Sequence, residues 1–174
     1  MRLFPVRESA LHPPLSRRTA GSPVSIRFAT EVDLQRVLEI EGLSFPARKQ
    51  WDRGDFREAL RDLFFVFADG EISGFLIASC WEDTKRAVIL RIAVHPDARN
   101  RGIAKKLIEA AIEKLKEMAV EEIEIDVEIV KRGAIQLYEK VGFRTVRGIP
   151  MDENNTMSNE NGSYYMMKMD IDQP

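Results

Sequence analysis

In the stretch EEIEIDVEIV, Ile123, Ile125, Val127 and Ile129 point one way, and Glu122, Glu124, Asp126 and Glu128 point the other. That period of two predicts a strand with one buried face. The run AVILRIAV, ending at Val94, is apolar almost throughout and predicts a central strand covered on both faces. Ahead of it, FFVFADGEISGFLIASCW reads as two strands turned at Asp69-Gly70. EDTKR makes the next turn. The period then becomes helical: Ile103, Leu107, Ile108, Ala111, Ile112, Leu115 and Met118 form one stripe, predicting a helix to about Ala119.

The flanks complete the pattern. SIRFA is a short strand, and Thr30 caps a helix through EVDLQRVLEIEGLSF, with Leu34, Val37, Leu38 and Glu41 on helical spacing. PARKQWDRGDFREALRDL reads as a loop and a short helix carrying Phe56, Leu60 and Leu63 on one side. RGAIQLYEKVG is a helix stopped at Gly142. FRTVRGI is a strand, PMDENNTMSNENGS a long polar loop, and YYMMKMDI a closing strand. The order β-α-α-β-β-β-α-β-α-β-β predicts an α/β (α+β) fold, a mixed sheet with helices on both faces.

Residues 1–25 break the pattern. Pro5, Pro13, Pro14, Pro23 and several arginines predict an irregular arm, leaving 26–172 as a single domain. A chain of 174 residues is long enough for one real core. Apolar residues are 44% and charged ones 31%, the net charge is −2 and the pI about 5.8. This balance argues against a nucleic-acid partner and leaves room for a local basic site. Cys80 is the single cysteine, so there is no internal disulfide or cysteine-based metal site, and a buried, inert thiol is expected. That usage fits a cytoplasmic protein. No apolar run approaches the roughly 20 residues of a membrane span. No metal is expected.

The charge that matters is local. In VHPDARNRGIAKKLIEA, Arg99, Arg101, Lys105 and Lys106 crowd around Gly102, where a strand pattern ends and a helical one begins. The first N–H groups of a helix lack partners and carry partial positive charge. A glycine turn feeding such a terminus, flanked by arginines, predicts a phosphate or pyrophosphate at residues 99–105. A purely structural cap favours Asp, Ser or Thr; Asp97 is close, so ordinary turn chemistry accounts for part of the pattern. The Gly-Lys-Ser/Thr ending of a Walker loop is absent.

V-x-P-x-x-R-x-x-G-x-A resembles the acetyl-coenzyme A signature of the GNAT family of N-acetyltransferases, Gln/Arg-x-x-Gly-x-Gly/Ala, matched by Arg99, Gly102 and Ala104. AIQLYEKVGF, 134–143, resembles the family's A-x-x-L-Y-x-x-x-G-F, and IRFATEVDLQRVLEIEGLSFP resembles its usual opening. The likeness covers about 26–171. It implies a GNAT fold, with six to seven strands and a splay between the two central parallel strands. It implies acetyl-CoA as donor and direct acetyl transfer to a primary amine.

By the same resemblance, loop amides over Asn100, Arg101, Gly102, Ile103, Ala104 and Lys105, with Arg99, hold the pyrophosphate. The pantetheine arm pairs along Ile92, Ala93 and Val94. Tyr138 matches the tyrosine that protonates the coenzyme A sulfur. Asp126 falls where ribosomal-protein N-terminal acetyltransferases place a glutamate base; being one methylene shorter, it needs a relaying water. Glu124 and Glu128 share that face and could serve instead, and a plain solvated face is the alternative. Lys131 stands where many members carry an asparagine on the cofactor. His95 is read as a surface residue.

For the acceptor, EGLSFPARKQW and PMDENNTMSNENGSYY match the segments that form the peptide cleft in protein N-terminal acetyltransferases, with Glu41, Phe45, Tyr164 and Tyr165 lining it. A protein or peptide N-terminal amine is therefore the expected acceptor. Small-molecule amines (polyamine, antibiotic, amino acid) and a non-catalytic acyl-CoA-binding sensor are the competing readings. A homodimer is common in the family, and an ordered arm fits one.

Overall fold

The computed structural model describes residues 24–149 and 164–171. The arm expected over 1–25 and the polar loop expected over 150–163 fall almost wholly outside these residues. Seven strands form one sheet: β1 (Ser25–Phe28), β2 (Leu63–Asp69), β3 (Glu71–Trp81), β4 (Arg86–Val94), β5 (Glu122–Glu128), β6 (Arg144–Ile149) and β7 (Tyr164–Asp170). Their order is β1-β2-β3-β4-β5-β7-β6. Among these strands β4 and β5 are the parallel pair, and the remaining pairings are antiparallel. Gly70, at φ 78°, makes the tight β2–β3 turn that Asp69-Gly70 predicts.

Four helices cover the sheet: α1 (Leu34–Ser44), α2 (Arg53–Ala59), α3 (Ile103–Glu117) and α4 (Arg132–Val141). The period of two in β2 divides its side chains between two cores. Leu63, Phe65 and Phe67 join α3 and α4 on one face. Phe64 and Val66 join α1 and α2 on the other, where Phe56, Phe64 and Phe75 stack with centroids 5.5–6.2 Å apart. Leu63, expected on the second helix, instead opens β2. The helix closes at Ala59, and turn bonds from Leu60, Arg61 and Asp62 redirect the chain. α3 lies close against β3 because Gly74 has no Cβ: one built there comes within 3.0 Å of Ile103 Cγ2 and 3.2 Å of the Ala93 carbonyl oxygen.

The irregularity that matters is in β4. Ile77 pairs with Arg91 but Ala78 pairs with Ile89, so Leu90 is an extra residue, a bulge. Before it, Ala87 and Ile89 face α3. After it, Ile92 and Val94 take that side, and Ala93 joins the core under α1. Arg91 turns with Ala93 and reaches Glu41 of α1. Pairing of β4 with β5 stops at Ile89–Ile125, beside the bulge. Beyond that point β4 stays with β3 and leaves β5, which is the splay expected between the central parallel strands.

Candidate active site

The gap left by the parting strands is the floor of a groove of about 610 Å³. Its walls include β4 from Ile89 to Val94, β5 from Ile125 to Glu128, and the start of α4. Ile92, Ala93 and Val94 line it, and among the described residues no strand pairs with their β5-side edge. Because the groove passes through the sheet, side chains from both faces meet in it.

From the α1 face come Asp126 and Glu128, which share a side of β5. Their environments differ. Desolvation pushes the Asp126 carboxyl above its ordinary range, and the charge of Arg147 opposes this only in part. Desolvation pushes Glu128 up too, but a hydrogen bond from Lys49, the charges of Lys131 and Lys49, and the Tyr164 hydroxyl outweigh it and hold the group below its ordinary range. Lys131 Nζ is 3.8 Å from Glu128, and the Tyr164 hydroxyl is 3.3 Å from it. Glu128 is thus held as an anion by its cationic neighbours, whereas the Asp126 carboxyl is raised and opposed only by the charge of Arg147. Glu124 is turned away to Arg86 and Lys168.

From the opposite face comes Tyr138 of α4. Its ring is buried against Phe143, centroids 6.0 Å apart, yet it lines the groove. Burial pushes its phenol up to about 12, so it is fully protonated at neutral pH. Lys131 caps the start of α4, lines the groove, and lies 5.2 Å from the Phe45 ring centroid.

The basic turn is less of a cluster than its sequence implies. Asn100 and Gly102 are both left-handed, at φ 61° and 74°. They deliver the chain into α3, whose first turn has no side-chain cap and no acidic residue. The side chains diverge. Arg99 enters the groove, donating to the Val94 carbonyl at 3.1 Å and the Ser44 hydroxyl at 3.4 Å. Arg101 and Lys106 line a second cavity of about 490 Å³, where Lys106 lies 5.8 Å from the Phe67 ring centroid. Lys105 faces Glu109 at 3.5 Å, and Ile103 is buried. What residues 100–105 offer an anion is therefore chiefly backbone N–H and helix dipole.

Of the four residues expected to line a peptide cleft, Phe45 and Tyr164 lie in the wall of this groove. Two residues do not. Tyr165 pairs opposite Val127 on the other face of the sheet and packs into the core, because adjacent strand residues point to opposite sides. Glu41 is 1% exposed and ion-paired to Arg91, so it supports the wall from behind. Arg91 and Lys49, both groove-lining, are the residues that sequence reading missed. A lone arginine inside AVILRIAV was the available signal for the first; nothing local marked the second.

His95 is a further correction. It is 1% exposed, not at the surface. The short helical turn Pro96–Ala98 folds back over it, and Asp97 N–H donates to its Nδ1 at 3.2 Å. Burial, with the charges of Arg36 and Arg99, outweighs Asp97 and Glu71 and lowers its pKa, so the ring is neutral. It does not line the groove. No helix among the described residues is long and apolar enough to cross a membrane.

Known proteins share this architecture. The model of the acetyltransferase (GNAT) family matches residues 33–143. An uncharacterized N-acetyltransferase of Methanocaldococcus jannaschii is 33% identical over 135 residues, 68% of this chain and 60% of that protein, so the chain matches under two thirds of that relative's length. An N-alpha-acetyltransferase of Sulfurisphaera tokodaii is 29% identical over 73% of this chain and 84% of its own. Among solved structures, the ribosomal-protein-S18-alanine N-acetyltransferase from Escherichia coli superposes with a TM-score of 0.75 at 22% identity, covering 87% of this chain and 96% of that one.

Proposed function

This chain belongs to the acetyltransferase (GNAT) family of N-acetyltransferases, and from that premise we propose that it moves an acetyl group from acetyl-CoA to the α-amine of a protein or peptide N-terminus. The observation that carries the reading is the convergence of Asp126 and Tyr138, from opposite faces of the sheet, on the gap where β4 leaves β5.

The donor suits the groove chemically. Its pyrophosphate has the uncapped α3 terminus and the N–H groups of residues 100–105 as donors. Its amide-bearing arm has the unpaired edge of Ile92, Ala93 and Val94 to bond. Arg99 and Lys131 supply positive charge along the same wall. Acetyl-CoA brings the activated thioester; the chain binds it, aligns the amine and moves the protons.

The acceptor arrives as an ammonium. Asp126, through a water, takes the proton that frees the nitrogen lone pair. The nitrogen attacks the thioester carbonyl, a C–N bond forms and the C–S bond breaks. The departing thiolate takes the phenolic proton of Tyr138. The second amine proton leaves to solvent, and Tyr138 recovers its own from water. Glu128, held by Lys49, Lys131 and Tyr164, shapes the acceptor entrance without taking a proton.

The N-terminal acceptor is favoured over a small amine by the N-alpha-acetyltransferase relative, and Phe45, Lys49 and Tyr164 in the groove wall offer aromatic and polar contacts to the residues behind an α-amine. The test offers acetyl-CoA with peptides of varied first residues, polyamines and free amino acids, read by mass spectrometry. Acetylation at peptide α-amines is the expected result. Acetylation of polyamines or amino acids alone overturns the acceptor class, and binding of acetyl-CoA with no product in any arm overturns catalysis.

A further inference from the structure

Arg91 is an anomaly of composition. It interrupts an apolar run in a central strand, and the Leu90 bulge turns it toward α1. Its guanidinium grips Glu41 side-on: one terminal nitrogen bonds Oε1, and Nε lies 3.3 Å from Oε2. The same terminal nitrogen donates to the Lys49 carbonyl at 2.5 Å. The guanidinium carbon lies 3.8 Å from the Phe45 ring centroid and 5.4 Å from that of Trp51. Glu41 completes the grip by accepting the Trp51 N–H at 3.0 Å.

All these contacts go to one place. Apart from the pair itself, each ends on residues 45–51, the segment between α1 and α2. That segment carries Phe45 and Lys49 into the groove. It also closes on itself, with the Gln50 side chain donating to the Phe45 carbonyl at 2.7 Å.

We propose that Arg91 is a positioning residue for the acceptor: locked by Glu41, it fixes the conformation of residues 45–51 and so the wall against which the acceptor amine is presented. Stability alone does not account for the pair. A buried ion pair is commonly replaced by well-packed apolar residues at no loss of stability, and Ala, Val, Ile and Leu fill the rest of the run AVILRIAV around Arg91. What an apolar residue cannot do is bond a loop carbonyl and a carboxylate and stack on a ring at once. Lysine lacks the planar fork that does all three. The acetyl donor has its own contacts further along β4 and on α3, so the effect falls on the acceptor. The assignment rests on the acetyl-transfer reading.

The test uses the full chain with Trp81→Phe, which leaves Trp51 as the sole tryptophan. Arg91→Met, Arg91→Lys and the double variant Glu41→Leu with Arg91→Met are compared with this parent. Acrylamide quenching of Trp51 reports loop order without needing activity. We expect both Met-containing variants to raise the quenching constant about twofold and the acceptor KM about tenfold. The Kd for acetyl-CoA should be unchanged, kcat should fall by less than about threefold, and Arg91→Lys should not rescue. The double variant removes both charges together, so it keeps the comparison sound if Arg91→Met alone fails to fold. Unchanged quenching and unchanged acceptor KM in the folded double variant overturn the proposal, as does a donor affinity that falls in step with the acceptor's. If the parent acetylates no amine, the acetyl-transfer reading fails, and Trp51 quenching still decides whether Arg91 orders the loop.

Discussion

Desolvation acts differently on two side chains that line the groove, the buried Tyr138 and the more exposed Asp126. Tyr138 is the proposed acid, and burial keeps its phenol neutral, since losing the proton would leave an anion in an apolar site. Its acid form is lost only as pH rises through about 12, so an alkaline limb below that value belongs to another group. Tyr138→Phe should lower kcat by about 100-fold while leaving acetyl-CoA affinity within about twofold, read by steady-state kinetics and calorimetry. Asp126 is the proposed base, and desolvation favours that role by raising its pKa. It works when ionised, so the rate should fall as pH drops through a value above the roughly 3.9 of an ordinary aspartate. Asp126→Asn should remove that acidic limb from the kcat/KM profile and lower the rate by about 100-fold.

The place of Asp126 and Tyr138 in the groove was legible because each sits in, or at a countable distance from, a recognisable motif. The state of Glu128 was not. It depends on Lys49, 79 residues earlier in the chain, and on Tyr164, 36 residues later. Nothing in EIEIDVEI distinguishes the acid that is neutralised from the one that is left open. His95 misled for a related reason: it follows a strand and looks solvent-bound until the Pro96–Ala98 turn is seen folding back over it.

At the level of elements, the start of α3 is the anchor proposed for the donor, and its geometry rests on Gly102. A Cβ there meets nothing within 4 Å, so space is not the constraint; the left-handed φ of 74° is. Gly102→Ala should therefore cost about 1–2 kcal/mol of folding stability through backbone strain. The amides it aims at an anion should misalign as well. Calorimetry with coenzyme A should show weakened binding, with acceptor-loop order, read through Trp51, unaffected. The helix itself was plain from its apolar stripe and the turn from its glycine. The scattering of the arginines and lysines around it was not, because a basic run in sequence does not say which side chains share a side. Arg99 goes to the groove, and Arg101 and Lys106 go to a different cavity.

Across the whole molecule, the sheet separates two cores that touch little except through the strands. Its β1 edge is tied to the α1 side by one buried carboxylate. Asp33 accepts from both terminal nitrogens of Arg27, at 2.7 and 2.8 Å, and from the Thr30 N–H and hydroxyl at 2.8 and 2.9 Å. The Arg27 hydrogen bonds, aided by Thr30, outweigh desolvation and hold its pKa below the ordinary value. Because the folded-state pKa is depressed, this stabilisation is fully present above the unfolded aspartate value of about 3.9 and is lost as pH falls through the folded one. Asp33→Asn should lower the melting temperature at pH 7, by the equivalent of about 1–2 kcal/mol, and the difference should shrink as pH falls below about 3.9. Thermal melts of both proteins across that range check it. The order of strands and helices was readable from periodicity alone. The gap between β4 and β5 was expected only by resemblance, since no apolar pattern records where two neighbouring strands part.

The extra residue in β4 carries a consequence for anyone who would graft an acceptor preference between relatives. Counting by twos from Ala87 assigns Arg91 to the α3 core and Ile92 to the acceptor side, the reverse of what the fold does. A transplant of residues 91–94 without Leu90 would send a guanidinium into hydrocarbon and present isoleucine to the incoming amine. Leu90 lines the groove but carries no group that moves a proton, yet it sets the reading frame in which this strand's side chains are delivered, and it has to travel with them.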